Sequence, residues 1–145
     1  MKPEQLLYAR IAQALHPIWD TQRIETTTAR GIPDITACSP DTGDVWIEAK
    51  WDKAHKPKPK LRPEQYAWMK KRVFMGGSCC ALMQDLERLW HIWPIENDSR
   101  FVSVGSYLLP THDHPHLTSN NLHGLLSEYY ARPKPDRHAR SNPST

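Results

Sequence analysis

Glu48 and Lys50 stand two residues apart in the run Val45–Trp51, "VWIEAKW", whose other members are apolar. A charge taken out of water is costly unless it is paired or holds an ion. Strand alternation puts Val45, Ile47, Ala49 and Trp51 on one face and Trp46, Glu48 and Lys50 on the other. A third charged residue, Asp34, follows Pro33 shortly before this run. Two carboxylates from neighbouring strands form a donor set for a hard cation such as Mg²⁺ or Mn²⁺, which binds one or two carboxylates, waters and substrate phosphates. The backbone carbonyl of Ala49 offers a third oxygen. Lys50 would stand beside the ion without ligating it, placed to hold an attacking water, help lower its pKa, or neutralise a phosphate. The chemistry of such a group is metal-assisted phosphodiester hydrolysis. Each residue also has a plainer use. Asp34 can end a turn, and Glu48 with Lys50 can be a surface pair worth under about 1 kcal/mol. Those uses leave unexplained why a Glu–Lys pair shares a face with Trp46 on a strand whose opposite face is apolar.

The elements that must position these residues follow from period and punctuation. "KPEQLLYARIAQAL" has Leu7, Ile11, Ala14 and Leu15 at helical spacing, with Pro3 suited to the first turn. Glu4 lies at the end of that apolar stripe, and Pro17 ends the helix. "QRIETTT" alternates as a strand, "DITAC" reads as a second, and "SPDTGD" is a hairpin connection into the third, "VWIEAKW". "LRPEQYAWMKKRVFM" is a second helix, closed by Gly76 and Gly77. "SCCALMQ" and "RLWHIWP" read as two more strands. Adjacent Cys79 and Cys80 point to opposite faces of the first of these and suit small core positions. Trp51, Trp68, Trp90 and Trp93 are expected in the core, and Trp46 either there or lining a groove. "FVSVGSYLLP" suits a strand or a short helix, "THDHPHLTSNN" a loop, and "LHGLLSEYYA" a short helix.

Charge is concentrated. From Lys50 to Arg72 nine Lys or Arg face two acidic residues, a net of +7, whereas the chain of 145 residues nets +3. A local basic patch of that size suits a polyanion such as nucleic acid, although a lysine-rich solvated loop has the same composition. Three cysteines, an odd count, do not make a disulfide framework and point to an intracellular, cytoplasmic setting. No apolar run reaches the roughly 20 residues that span a bilayer, so no membrane association is expected. "HDHPH", residues 112–116, invites a zinc reading, but its ligands lack regular elements or CxxC-type spacing.

The ordered set "GIPD" (Gly31–Asp34), "IEAK" (Ile47–Lys50) and "LRPEQ" (Leu61–Gln65) resembles the PD-(D/E)XK nuclease superfamily. Among its branches the set looks most like the VRR-NUC group, the virus-type replication-repair nucleases frequent in phages. The likeness spans the first helix to the strand ending near Pro94. It implies an α/β, restriction-endonuclease-like core in the order αβββαββ, with a mixed, mainly antiparallel sheet flanked by helices. That core would occupy residues 1–110, followed by an extension over 111–131 with room for a short helix and a basic disordered tail over 132–145.

The resemblance also assigns roles. Asp34 and Glu48 match the metal-binding carboxylates, Lys50 the catalytic lysine, and Gln65 a glutamine that orients the lysine or a bound water. Glu4 corresponds to an acidic residue on the first helix that often completes the site. Glu25, which shares a strand face with Arg23, competes for that role. Lys53, Lys56, Lys58, Lys60 and Arg62 would grip the DNA backbone beside the site. The implied activity is a Mg²⁺- or Mn²⁺-dependent DNA endonuclease of junction-resolving or nicking type, with a homodimer as the form small members often take. In a phage setting the enzyme would act in the host cytoplasm, in DNA repair. The alternative is a catalytically inactive nucleic-acid-binding protein that keeps the nuclease fold.

Overall fold

A computed structural model describes residues 2–25, 30–52 and 57–132. Helix α1 (Pro3–Leu15) buries Leu7, Ile11 and Leu15, the stripe its spacing demands. Strands β1 (Asp20–Arg23), β2 (Ile35–Ser39) and β3 (Gly43–Ala49) form an antiparallel meander. Helix α2 (Pro63–Phe74) leads into β4 (Ser78–Gln84), which lies parallel to β3 and antiparallel to β5 (Trp90–Ile95). Strands β6 (Phe101–Val104) and β7 (Tyr107–Pro110) make a separate hairpin. Strand β8 (Leu117–Ser119) then returns to pair with β5, and α3 (Leu122–Tyr130) follows. The main sheet has six strands in the order β1-β2-β3-β4-β5-β8. It is mixed and mostly antiparallel, as the sequence implies.

The sheet separates two packed layers. Ile35, Ala37, Val45, Ile47, Cys80, Leu82 and Ile92 meet Leu7, Ile11 and Leu15 of α1 and Leu122, Leu125 and Leu126 of α3. On the opposite face Cys79, Ala81, Met83, Trp93 and Ile95 meet Leu61 and Met69 at α2, with Trp46, Tyr66 and Trp68 packed against them. Cys79 and Cys80 are free thiols split between the two layers.

Two expectations are corrected. Trp51 is not a core residue. It is 42% exposed, because β3 ends at Ala49 and releases the chain before reaching it. The stretch "THDHPHLTSNN" is not all loop, since Leu117–Ser119 pairs with β5. Residues beyond 110 therefore complete the sheet through β8 and its first packed layer through α3.

Candidate active site

Register builds the site. Ile35 pairs with Ile47 across β2 and β3. One further step places Asp34 opposite Glu48, and directly opposed residues present their side chains on the same face. On β3 Glu48 faces the α2 layer, opposite in sense to Ile47, and it is 5% exposed. Helix α2 brings Gln65, its third residue, down onto that face, where it is 4% exposed.

Gly31 explains why the "GIPD" loop meets α2 here. It has φ +87°, and a Cβ built on it would lie 2.2 Å from the backbone oxygen of Glu64. Only glycine combines that left-handed backbone with so close an approach. The loop before Asp34 is thereby pressed against the first turn of α2, the turn that carries Gln65.

Gln65 joins Glu48 and Lys50 into one network. Its Nε2 donates to Glu48 Oε1 at 2.7 Å. Its Oε1 accepts from Lys50 Nζ at 3.0 Å and from the Arg62 backbone N–H at 2.9 Å. The Arg62 contact also satisfies a donor at the open N-terminus of α2, so one amide serves the helix end and the site together. With a carboxylate on one side and an ammonium on the other, the orientation of the amide is fixed by chemistry. Lys50 Nζ also lies 3.3 Å from Glu48 Oε1. Asp34 Oδ1 accepts from the Ala49 backbone N–H at 3.1 Å, which ties the aspartate to β3.

The electrostatics follow from burial. Desolvation, and then the charge of Asp34, push the Glu48 carboxyl up to about 7, against the opposing pull of Lys50. Burial likewise raises Asp34, against hydrogen bonds from the backbone of Ala49 and of Asp34 itself and the charge of Lys50. Two carboxyls that hinder each other's ionisation beneath one lysine form a site that a divalent cation would relieve. The donors are oxygens, so the group fits a hard ion such as Mg²⁺ or Mn²⁺. Asp34 and Glu48 would hold it.

Of the residues expected from the sequence, the structure brings together Asp34, Glu48, Lys50 and Gln65. It does not bring Glu4 or Glu25 to them. Glu4 is exposed on the first turn of α1, and Glu25 lies exposed with Arg23 at 3.8 Å. Among the described residues no group of three His, Cys, Asp or Glu side chains is disposed to hold a metal. The Ala49 carbonyl, bound waters and a substrate phosphate are the remaining oxygen donors for such an ion. Lys58, Lys60 and Arg62 are exposed ahead of α2, and Lys53 and Lys56 lie outside the described residues. The tail over 133–145 also lies outside them. Sequence reasoning missed the roles of Gly31 and of the Arg62 N–H. The signal for the first was a glycine two residues before Pro33. The second was a Gln at the third position of a helix, a known capping residue.

Among the described residues no helix is long and apolar enough to cross a membrane. No protein-family model matches the chain, and no curated protein matches it. Among solved structures the chain is similar to Hjc, a Holliday junction resolvase from the archaeal hyperthermophile Archaeoglobus fulgidus. The match has a TM-score of 0.53 at 15% identity and covers 75% of this chain and 85% of that one. The likeness shows a shared fold: this chain has the α/β fold of that resolvase.

Proposed function

We propose that this protein is a divalent-metal-dependent endonuclease that hydrolyses DNA phosphodiesters, with branched or structured DNA as its substrate. The observation that carries the proposal is the buried Glu48, tied through Gln65 to Lys50, with the half-buried Asp34 opposite it across the β2–β3 ladder. One sheet face holds Glu48 and Lys50 on a hydrogen-bonded network with Gln65, and Asp34 beside them on the backbone of Ala49, and no packing need accounts for them. The structural neighbour is named a Holliday junction resolvase, which supports a four-way or otherwise branched DNA as the preferred substrate.

In this reading Asp34 and Glu48 would hold a Mg²⁺ or Mn²⁺ ion, which would supply Lewis-acid chemistry for phosphodiester hydrolysis. The chain's own residues do the rest. Gln65 fixes the position of Lys50 Nζ and of Glu48 Oε1 at once, so the ammonium and the carboxylate keep a constant separation. The ammonium of Lys50, held beside Glu48, would stabilise the negative charge that develops on the phosphate and the attacking oxygen. Lys58, Lys60 and Arg62 hold the flanking backbone by charge, without reading sequence. A homodimer would set two such centres against two strands.

The test is a cleavage assay with labelled duplex, single-stranded, flap and four-way-junction DNA in Mg²⁺, Mn²⁺, Ca²⁺ or EDTA. The expected result is cleavage of the branched substrates in Mg²⁺ or Mn²⁺ and none in EDTA. Binding without cleavage in every metal would instead establish an inactive DNA-binding protein on this fold.

A further inference from the structure

A second polar array lies on the same sheet face as the candidate site. His91 of β5 is buried, and its Nε2 lies 2.9 Å from Asp85 Oδ2. Its Nδ1 lies 2.8 Å from Nε2 of His116. The ring of His116 stacks on Trp93, with centroids 4.3 Å apart and planes 5° from parallel. His116 is itself exposed, and it lines a cavity of about 150 Å³ with Lys58, Trp93, Thr111 and His112.

The tautomers follow from the acceptor at one end. The hydrogen bond from His91 holds the Asp85 carboxyl below its usual range, so it is ionised and can only accept. His91 therefore donates through Nε2, and when its ring is neutral it accepts through Nδ1. His116 must then donate through Nε2, which leaves its Nδ1 as the atom that takes up a proton. The negative end of the array favours that uptake. Burial, then the neighbouring His91, lower the pKa of His116. An anion in the cavity would reverse the balance by supplying the missing opposite charge.

Carboxylates stand near the cavity: Asp113 accepts from the lining Thr111 and is paired with Arg100 at 2.6 Å, and the charges of Glu96 and Asp98 reach His114. The titratable groups that line the cavity itself are a lysine and histidines. Lys58 faces it from the segment before α2, and His112 and His114 from the segment between β7 and β8. His114 is spent on structure. Its Nε2 donates to the Pro94 carbonyl, and its Nδ1 accepts from the Arg100 N–H. Asp85 contributes the one carboxylate of the array, and it lies beyond His91.

Position ties the cavity to the candidate site. Ala49 pairs with Leu82 and Met83 with His91, so Lys50, Met83 and His91 are level on neighbouring strands. The cavity itself lies by His116, just before β8 on the far side of β5, so about three strand spacings, about 14 Å, separate it from Lys50. At about 3.4 Å of axial rise per nucleotide along a strand, that is about four nucleotides.

We propose that the cleft between Lys58 and the Asp85–His91–His116 array is a second phosphate subsite, which holds a phosphodiester of the substrate a few nucleotides from the one that is cut. It rests on the nuclease reading for the identity of the polymer. Its chemistry is that of a cation pair, Lys58 with a His116 that gains a proton when the phosphate arrives.

Two measurements on the full chain test it. In the first, the histidine Cε1–H resonances are followed by NMR while inorganic phosphate or dimethyl phosphate is added. The His116 and His91 signals should move, and the apparent pKa of His116 should rise by about one unit or more, as expected for an opposite charge nearby. The Lys58→Gln variant should blunt both effects. Movement of His116 no larger than that of His16 and His123, which lie away from the cavity, overturns the subsite. In the second, branched DNA is bound in EDTA at varied salt. His116→Gln should weaken binding several-fold at pH 6, less at pH 8, and reduce the salt slope by up to about 0.9. An unchanged slope at both pH values also overturns it. A phosphate response at His116 in a protein that cuts no DNA keeps the subsite and refutes the nuclease reading. Cleavage with a silent His116 does the reverse.

Discussion

Strand β3 faces two different interiors. Val45 and Ile47 enter a layer closed by α1 and α3, where the packed side chains are apolar. Glu48 enters the layer of α2, where Leu61 and Met69 are also fully buried, yet two carboxyls, a lysine and a glutamine lie beside them. The two layers are equally dry at their centres. They differ in how their helices meet the sheet. Two helices close the first. In the second, Gly31 draws the loop before Asp34 onto the first turn of α2, and polar side chains from three segments meet at that seam. One face of the strand is built to hold the chain together, and the other holds charges whose removal should not unfold it.

The two faces should part most widely on activity. Asp34→Asn or Glu48→Gln should reduce cleavage by about a thousandfold or more, since an ion held there is worth several kcal/mol to the transition state. Their thermal stability should stay at or above the wild-type value, because each replaces a carboxyl that burial disfavours. Ile47→Ala, one residue away on the other face, should do the opposite. It should cost about 2–5 kcal/mol of stability in a denaturant titration, and the fraction still folded should keep its turnover. Full activity in Glu48→Gln, or an unaltered denaturation midpoint in Ile47→Ala, would erase the distinction between the faces.

Gln65→Ala sharpens the contrast within the polar layer. Lys50 and Glu48 lose their common partner, and turnover should fall about 10- to 100-fold, the usual size for a residue that orients metal ligands. A variant as active as wild type would reduce Gln65 to a helix cap.

A smaller effect is one of pH. Asp34 and Glu48 both have raised pKa values in the folded protein, Glu48 from 4.5 to about 7. The folded, metal-free protein thus binds protons that the unfolded chain releases. Stability from this source is present at low pH and declines as pH rises from about 4.5 through about 7. Melting in EDTA should therefore occur at a lower temperature at pH 8 than at pH 5. Glu48→Gln should flatten that slope, and Mg²⁺ should restore stability at pH 8. Equal slopes in wild type and Glu48→Gln would mean that the carboxyl is not strained by its burial.

The smallest expected effect lies outside both layers. Replacing exposed Lys58 and Lys60 by Gln should weaken binding alike for all DNA sequences. It should also lower the salt slope by up to about 0.9 for each phosphate that the lysines cease to neutralise. A slope equal to that of the wild type would make both lysines mere solvated surface.

Much of the polar face was legible in the sequence. "GIPD", "IEAK" and "PEQ" mark three segments whose side chains meet, because strand alternation and helix phase are local properties and register adds only one step. The limits of β4 were equally plain, since its apolar run is bounded by turn residues, whereas "LHGLLSEYYA" carried only a faint helical signal that α3 matches. What was not legible depends on distant pairing. Residues 117–119 carry no strand signal of their own, and β5 makes them a strand. His91 and His116 are 25 residues apart, and nothing in "RLWHIWP" or "HDHPH" announces that they share a hydrogen bond. Glu4 shows the limit of periodicity. Its phase matches the buried stripe of α1, but at the first turn that phase ends in solvent.

Everything proposed for the polar face depends on Asp34 and Glu48 holding a divalent ion beneath Lys50. Mn²⁺ binding followed by electron paramagnetic resonance, on the wild-type chain and on Glu48→Gln without DNA, tests this without relying on catalysis. The expected result is saturable uptake by the wild type that competes with Mg²⁺, and uptake weakened at least about tenfold in the variant. Equal Mn²⁺ binding by the two proteins would contradict it.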